Sequence, residues 1–201
     1  MRIFPNGQSI AGKKQVKWGI DATGNRLHLG HFVAICFLRK MLAEHRDVSV
    51  VVGDLTGSIG DPSGTVKDRP IVPQGVIRAN ALMLHTHLSS LLPGARIFGN
   101  RRILEHGELL LEAQRKFTVS RLLDRASFQG RSVRVDELLL PIFQAIDSVL
   151  LNTEVEIGGE DQEFNFAITR DVQEAMGQTP EVCVLLPIIR GADGQKMSKS
   201  L

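Results

Sequence analysis

The chain of 201 residues contains no tyrosine, a single tryptophan, two cysteines and no block of like charges. Each shortage narrows the field. Cys36 and Cys183 both lie in apolar stretches and form no metal-ligand spacing, so they read as two buried thiols rather than a metal module. No run of about eighteen apolar residues is present to span a membrane, and Met1 to Gln15 carries basic residues without the apolar segment of a secretory signal. The expected location is therefore cytoplasmic. The formal charge of +2 is nearly balanced and its Lys and Arg residues are dispersed, which offers no independent argument for a nucleic-acid partner. No G-x-x-x-x-G-K-[ST] sequence occurs, so a P-loop is excluded as the phosphate-binding device. What is present, 43% hydrophobic residues, suffices for one domain with a sizeable core.

An apolar run from Val16 to Ile20 breaks at Asp21, passes the turn-prone Thr23-Gly24-Asn25, and restarts with helical spacing at Phe32, Ile35, Cys36, Leu38, Met41 and Leu42. The pattern reads as strand, loop, helix. His28 and His31 then fall three apart in the first helical turn, on one face, beside backbone N–H groups and the positive end of the helix dipole. A phosphate suits such a place. Asp21 and Thr23 arrive at the same turn, and Gly30, lacking a side chain, allows a close approach to the backbone. By themselves two histidines at this spacing are equally an accident of a helix start or half of a metal site.

Val48 to Val52, rich in β-branched residues, reads as a buried parallel strand, and strand-helix-strand succession implies a right-handed crossover. The expected fold class is thus α/β, a parallel sheet flanked by helices. The stretch from Gly53 to Pro73 holds too many Gly, Pro, Asp and Ser residues for regular structure. Within it Asp61 lies 40 positions after Asp21, and neighbouring parallel strands would bring both carboxylates to one sheet edge; a turn-forming Asp before Pro62 is the plainer alternative. A helix over Val76 to Leu92 ends at Pro93-Gly94, a short strand covers Ala95 to Phe98, and helices occupy Ile103 to Leu123. His85 and His87, two apart within the first of these helices, read as surface residues.

Val135 to Leu151 carries a helical stripe of Leu138, Leu139, Ile142, Phe143, Ile146 and Val149. Gln144 and Asp147, three apart on this apolar surface, point either into one pocket or to solvent. A strand from Glu154 to Ile157 runs into Gly158-Gly159, where Gly159 permits close backbone approach and Asp161 and Gln162 open the next helix. The last strand, Val182 to Ile189, leads into Gly191-Ala192-Asp193-Gly194-Gln195-Lys196-Met197-Ser198-Lys199-Ser200-Leu201. A glycine-rich loop with Lys196 and Lys199 three apart would fold over a polyphosphate and place charge where it develops in nucleotidyl transfer; the plain alternative is a solvated tail.

Taken together, His28-Leu29-Gly30-His31 and Lys196-Met197-Ser198-Lys199-Ser200 resemble the paired signatures of class I aminoacyl-tRNA synthetases. The blocks Gly53 to Gly64, Phe117 to Arg121, Gln144 to Ser148 and Gly158 to Gln162 narrow the resemblance to the tyrosyl-tRNA synthetase catalytic domain. It implies a Rossmann-like sheet with nucleotide-binding halves at about 16–98 and 148–201 and a helical connecting insertion at about 99–147, all one catalytic domain over 1–201. It also implies attack of an amino acid carboxylate on the α-phosphate of ATP, with Mg²⁺ on the phosphates and no protein metal site. His28, His31, Lys196, Lys199 and Gln162 would act on the reacting groups. Asp21, Thr23, Gly30, Gly159, Asp161, Met197 and Ser198 would hold ATP, while Lys17, Asp61, Leu140, Gln144 and Asp147 would face the amino acid.

Departures from the resemblance shape the expected function. Leu140 stands where the family usually places a tyrosine beside the substrate amino group, and Ile146 replaces a second aromatic; Lys17 occupies a position that some tyrosyl enzymes fill with a phenol-binding tyrosine. If Lys17 and Asp147 share the pocket, they pair or read a polar substrate. The substrate is then tyrosine or a related or non-protein amino acid. The sequence stops just after the lysine loop with no anticodon-binding domain, so the expectation is a stand-alone enzyme passing its acyl group to an acceptor other than tRNA, with an excised tyrosine-tRNA ligase catalytic domain as the alternative. The resemblance implies a homodimer. Two other readings stay open, a non-catalytic adenylate-binding regulator and a nucleotidyltransferase acting on a phosphate-bearing substrate.

Overall fold

A computed structural model describes residues 1–60, 72–189 and 191. Its centre is a six-stranded sheet. The strands are β1 (Arg2–Phe4), β2 (Gln15–Asp21), β3 (Asp47–Gly53), β4 (Arg96–Gly99), β5 (Val155–Gly159) and β6 (Val182–Leu186), in the spatial order β1-β6-β5-β2-β3-β4. All pairings are parallel except that of β1 with β6. The segment before β2 thus holds an edge strand, which makes the sheet mixed rather than the expected parallel one; three residues are too few to display an alternation.

Six helices of the described chain surround the sheet: α1 (Leu29–Ala43), α2 (Gln74–Leu91), α3 (Gly107–Gln114), α4 (Val119–Leu123), α5 (Val135–Leu151) and α6 (Glu163–Ala175). Period-two alternation decides which residues of β2 face which layer. Val16, Trp18 and Ile20 join Val48, Val50 and Val52 of β3 in a core with Ile35, Leu38 and Met41 of α1 and Leu84 and Leu88 of α2. On the opposite side a second core gathers Ile142, Ile146 and Val149 of α5 with Ile168 and Val172 of α6. Strand β3 is buried from Val48 to Gly53, as a parallel strand covered on both faces should be.

Cys183 is buried, but Cys36 is exposed, against the expectation of two buried thiols. On α1 it follows Ile35 and falls outside the stripe of Ala34, Ile35, Leu38 and Met41 that meets the core. The two histidines of α2 are exposed. Among the described residues no helix is long and apolar enough to cross a membrane.

The chain order explains where a ligand would sit. From β2 the chain builds outward through α1 to β3 and through α2 to β4, then passes through the helical stretch of α3, α4 and α5 and returns on the other side of β2 as β5 and then β6. The order reverses between β2 and β5. In open α/β sheets the crevice beyond the carboxyl ends of the strands at such a reversal is where ligands bind.

Candidate active site

A cavity of about 490 Å³ opens at this reversal, within the range of small-molecule sites. One wall is the turn after β2. There Ala22 N–H donates to the Gly53 carbonyl (3.2 Å) and Asn80 of α2 donates to the Ala22 carbonyl (3.0 Å), which fixes the path of Asp21 and Thr23. The Asp21 carboxylate accepts from the Thr56 hydroxyl at 2.7 Å. Only glycine fits opposite: a Cβ on Gly53 would lie 2.1 Å from Asp21 Oδ1 and 2.5 Å from Thr56 Oγ1.

His28 does not belong to the first turn of α1 but caps it from outside. Its Nδ1 accepts the Gly30 N–H at 3.2 Å, and His31 Nδ1 accepts the His28 N–H at 3.1 Å, a reciprocal arrangement that satisfies helix-terminal donors. The ring centroids lie 3.7 Å apart. A neutral imidazole that accepts at Nδ1 carries its proton at Nε2, so the cap itself sets both rings to present Nε2–H donors. Gly30 gives the His28 ring its room, since a Cβ there would stand 3.0 Å from Cε1.

The facing wall follows β5. Residues Glu160–Gln162 form a 3₁₀ turn before α6 rather than its first residues. Gln162 accepts from Asn165 (2.6 Å) and donates to Asp161 Oδ2 (3.3 Å), so the two side chains are held as a pair. Gly159 leaves space for this carboxylate, because a Cβ would lie 2.4 Å from Asp161 Oδ1.

The inner end is furnished by α5 and the strands beneath it. Gln144 and Asp147, one helical turn apart, both line the cavity. Asp147 is 2% exposed; its Oδ2 accepts from Asn100 Nδ2 at 3.2 Å, and its Oδ1 has no hydrogen-bond partner. Burial pushes this carboxyl up to about 7, against the opposing pull of Lys17, the Asn100 hydrogen bond and Arg102. Asn100 also donates to Thr56 Oγ1 (3.1 Å) and accepts the Leu55 N–H (3.0 Å), so a continuous polar chain runs from Asp21 through Thr56 and Asn100 to Asp147.

Lys17 lines the cavity but does not pair with Asp147, contrary to one expectation. It faces Glu156 across the β2–β5 ladder and bonds its Oε1 at 2.9 Å, Ser148 Oγ at 2.6 Å and the Gln144 carbonyl at 3.0 Å. Burial alone would pull the Lys17 ammonium down, yet the carboxylates of Glu156, Glu181 and Asp147 outweigh it and leave its pKa raised. Glu181, fully buried, has its pKa pushed well up by burial and by the neighbouring Glu156, against the opposing pull of Lys17. Leu140, expected to face the amino acid, is instead fully buried one turn before Gln144 and does not line the cavity, because its place on α5 turns it into the core. Asp61, Lys196, Met197, Ser198 and Lys199 lie outside the described residues. Among the described residues no group of three or more His, Cys, Asp or Glu is placed to hold a metal ion.

Asn100, Thr56, Glu156 and Ser148 are the site residues that sequence reasoning missed. Glu156 and Lys17 did leave a signal: each is a charge flanked on both sides by apolar residues of its strand, and their signs are opposite. Asn100 left none, as it follows a short strand in a segment with no distinctive spacing.

Residues 10–201 match the family described as tRNA synthetases class I (W and Y). A tyrosine-tRNA ligase of Aquifex aeolicus (strain VF5) is 39% identical over 196 residues, spanning 92% of this chain and 50% of the relative. One from Dehalococcoides mccartyi (strain CBDB1) is 36% identical over 207 residues, spanning 96% and 51%. This chain thus spans about half the length of these curated relatives. Among solved structures, the tyrosyl-tRNA synthetase from Aeropyrum pernix is similar with a TM-score of 0.77 at 22% identity, over 94% of this chain and 57% of that one. The Archaeoglobus fulgidus tyrosyl-tRNA synthetase complexed with L-tyrosine gives 0.72 at 20% identity, over 93% and 58%. At such identities these structures speak for the shared fold.

Proposed function

Since the chain belongs to the family of class I tRNA synthetases (W and Y), we propose that its cavity joins an amino acid to ATP to give an aminoacyl-adenylate. A carboxylate oxygen of the amino acid attacks the α-phosphorus, the bond from that phosphorus to the bridging oxygen breaks, and pyrophosphate leaves with the negative charge. No covalent enzyme intermediate is needed, only alignment and donors matched to the charge that develops. The observation that carries the reading is the convergence on one cavity of the His28/His31 cap, the Asp161/Gln162 turn and the Gln144/Asp147 face of α5. In this reading the two imidazoles donate to the phosphates from the amino end of α1, Asp21 and Thr23 border them, and Asp161 takes the ribose. Gln162 stands by the reacting carboxylate, and Lys196 and Lys199, with Met197 and Ser198, close over the pyrophosphate. Mg²⁺ enters as the companion of the ATP phosphates.

Gln144, with Asp61, faces the substrate amino group, and the side chain of the amino acid ends at Asp147. The unpartnered Oδ1 of Asp147 calls for a hydrogen-bond donor there. Tyrosine meets that need, as does a related or non-protein amino acid with a donor at its terminus. Leu140, buried away from the cavity, offers the substrate no hydroxyl where the resemblance leads one to expect a tyrosine, and a substrate other than tyrosine and an acceptor other than tRNA stay part of the reading for the test to decide. The test is amino-acid-dependent exchange of labelled pyrophosphate into ATP across tyrosine, the other standard amino acids and non-protein amino acids, followed by acylation assays with tRNA and with small amines. Exchange with at least one amino acid is expected; its absence throughout would refute the activation reading.

A second copy of the chain is the proposed partner. Leu104, Leu111, Val119 and Leu123 of the helical stretch are each at least 42% exposed, and exposed apolar side chains are what an interface between copies would cover. Light scattering is expected to show a dimer.

A further inference from the structure

Lys17 occupies the centre of β2 directly opposite Glu156 of β5, at the very reversal of strand order that forms the cavity. An ammonium has three donors and no acceptor. All three are matched here, to Glu156 Oε1, to Ser148 Oγ and to the Gln144 carbonyl, and the residue is 2% exposed. The Ser148 hydroxyl, having accepted from Lys17, donates to Glu156 Oε2 at 3.1 Å, which closes a ring of polar contacts through β2, β5 and α5. On α5 the two anchoring residues, Gln144 and Ser148, bracket Asp147.

We propose that Lys17 is a positioning residue of the amino acid site: it touches no substrate, and by clamping α5 at Gln144 and Ser148 onto the Lys17–Glu156 pair it sets where the Gln144 side chain and the Asp147 carboxylate stand in the cavity. This role rests on the activation reading above. A lysine does what a shorter polar residue at this position would not, because its four-carbon stem lifts the charge from the sheet to the backbone of the overlying helix. Glu156 makes the clamp neutral, and a buried lysine without it would carry an uncompensated charge.

Two variants separate this role from others. Ser148→Ala deletes the shortest contact of Lys17, leaves the ion pair in place and alters no cavity-lining side chain. Lys17→Met combined with Glu156→Gln removes the whole clamp without stranding a charge. In pyrophosphate exchange the first is expected to raise KM for the amino acid about tenfold and the second about 10²-fold, the scale of an ångström of misplacement, with KM for ATP unchanged in both. Lowered thermal stability with both KM values unaltered would reduce Lys17 to a structural residue and overturn the proposal. A change in amino acid preference in the Lys17 variant that Ser148→Ala does not share would also overturn it, since that is the mark of direct contact. A parent enzyme that exchanges with no amino acid refutes the activation reading itself, whereas a parent that exchanges normally while the variants keep its KM overturns the clamp alone.

Discussion

At Asp147 the demands of folding and of recognition oppose each other, and the opposition is measurable. The carboxyl is almost wholly buried, one of its oxygens has no partner, and burial carries it from 3.8 up to about 7 despite the pull of Lys17, Asn100 and Arg102. A carboxyl whose folded pKa exceeds its unfolded value binds its proton more tightly in the fold. It therefore lowers stability progressively as pH rises through the interval from 3.8 to about 7, and the cost is constant above it. The interval of about 3 units, at about 1.4 kcal/mol each, sets that cost near 4 kcal/mol. Asp147→Asn keeps the shape and an acceptor for Asn100 while abolishing the titration. The difference in urea-unfolding free energy between variant and parent is expected to shift in favour of the variant by up to about 4 kcal/mol between about pH 4 and about pH 8. In thermal melts the same shift is roughly 8–16 °C. Pyrophosphate exchange by the variant should fall, because the acceptor for the substrate terminus is halved. A stability difference that stays flat with pH would refute the reasoning, since Asp147 would then titrate alike in the folded and unfolded chains.

Other perturbations probe separate parts of the site. Gly53→Ala drives a methyl into Asp21 and Thr56 and is expected to cost about 1–3 kcal/mol in denaturant unfolding, the usual scale of overpacking, together with loss of exchange activity. His28→Ala removes the cap of α1 and a donor at once, so stability should drop by about 0.5–2 kcal/mol while kcat for exchange falls about 10²–10³-fold; kinetics within tenfold of the parent would remove His28 from the reacting site. Asn100→Ala strands the Leu55 N–H, Thr56 and Asp147 together and is expected to destabilise by about 1–3 kcal/mol. It should also raise the Asp147 pKa further, read as a displaced pH dependence of stability.

How far the chain could be read from its residues depended on whether a feature left a local trace. The β2–α1–β3 unit was legible because its apolar runs and helical spacing are local, and α5 begins and ends where its stripe from Val135 to Leu151 predicts. The cavity was legible in outline for the same reason: Asp21, His28, His31, Gln144, Asp147, Asp161 and Gln162 all border it, each carried to the spot by a strand end or a helix start. What escaped was decided by contacts between distant segments. Nothing near Arg2–Phe4 announces that it will pair with Val184 and its neighbours, some 180 positions away, so the antiparallel edge was invisible. Asn100 matters only because the β4 end comes to rest beside Thr56 and Asp147. Lys17 shows the intermediate case. A lysine inside Val16-Lys17-Trp18 and a glutamate inside Val155-Glu156-Ile157 are each costly to bury alone, and that cost implies a partner. Opposite signs on two parallel strands that both end at the site make those two residues the natural pair. Asp147 then faces the cavity with no direct bond from Lys17, and its Oδ1 without a partner, which is why its titration is the more informative measurement.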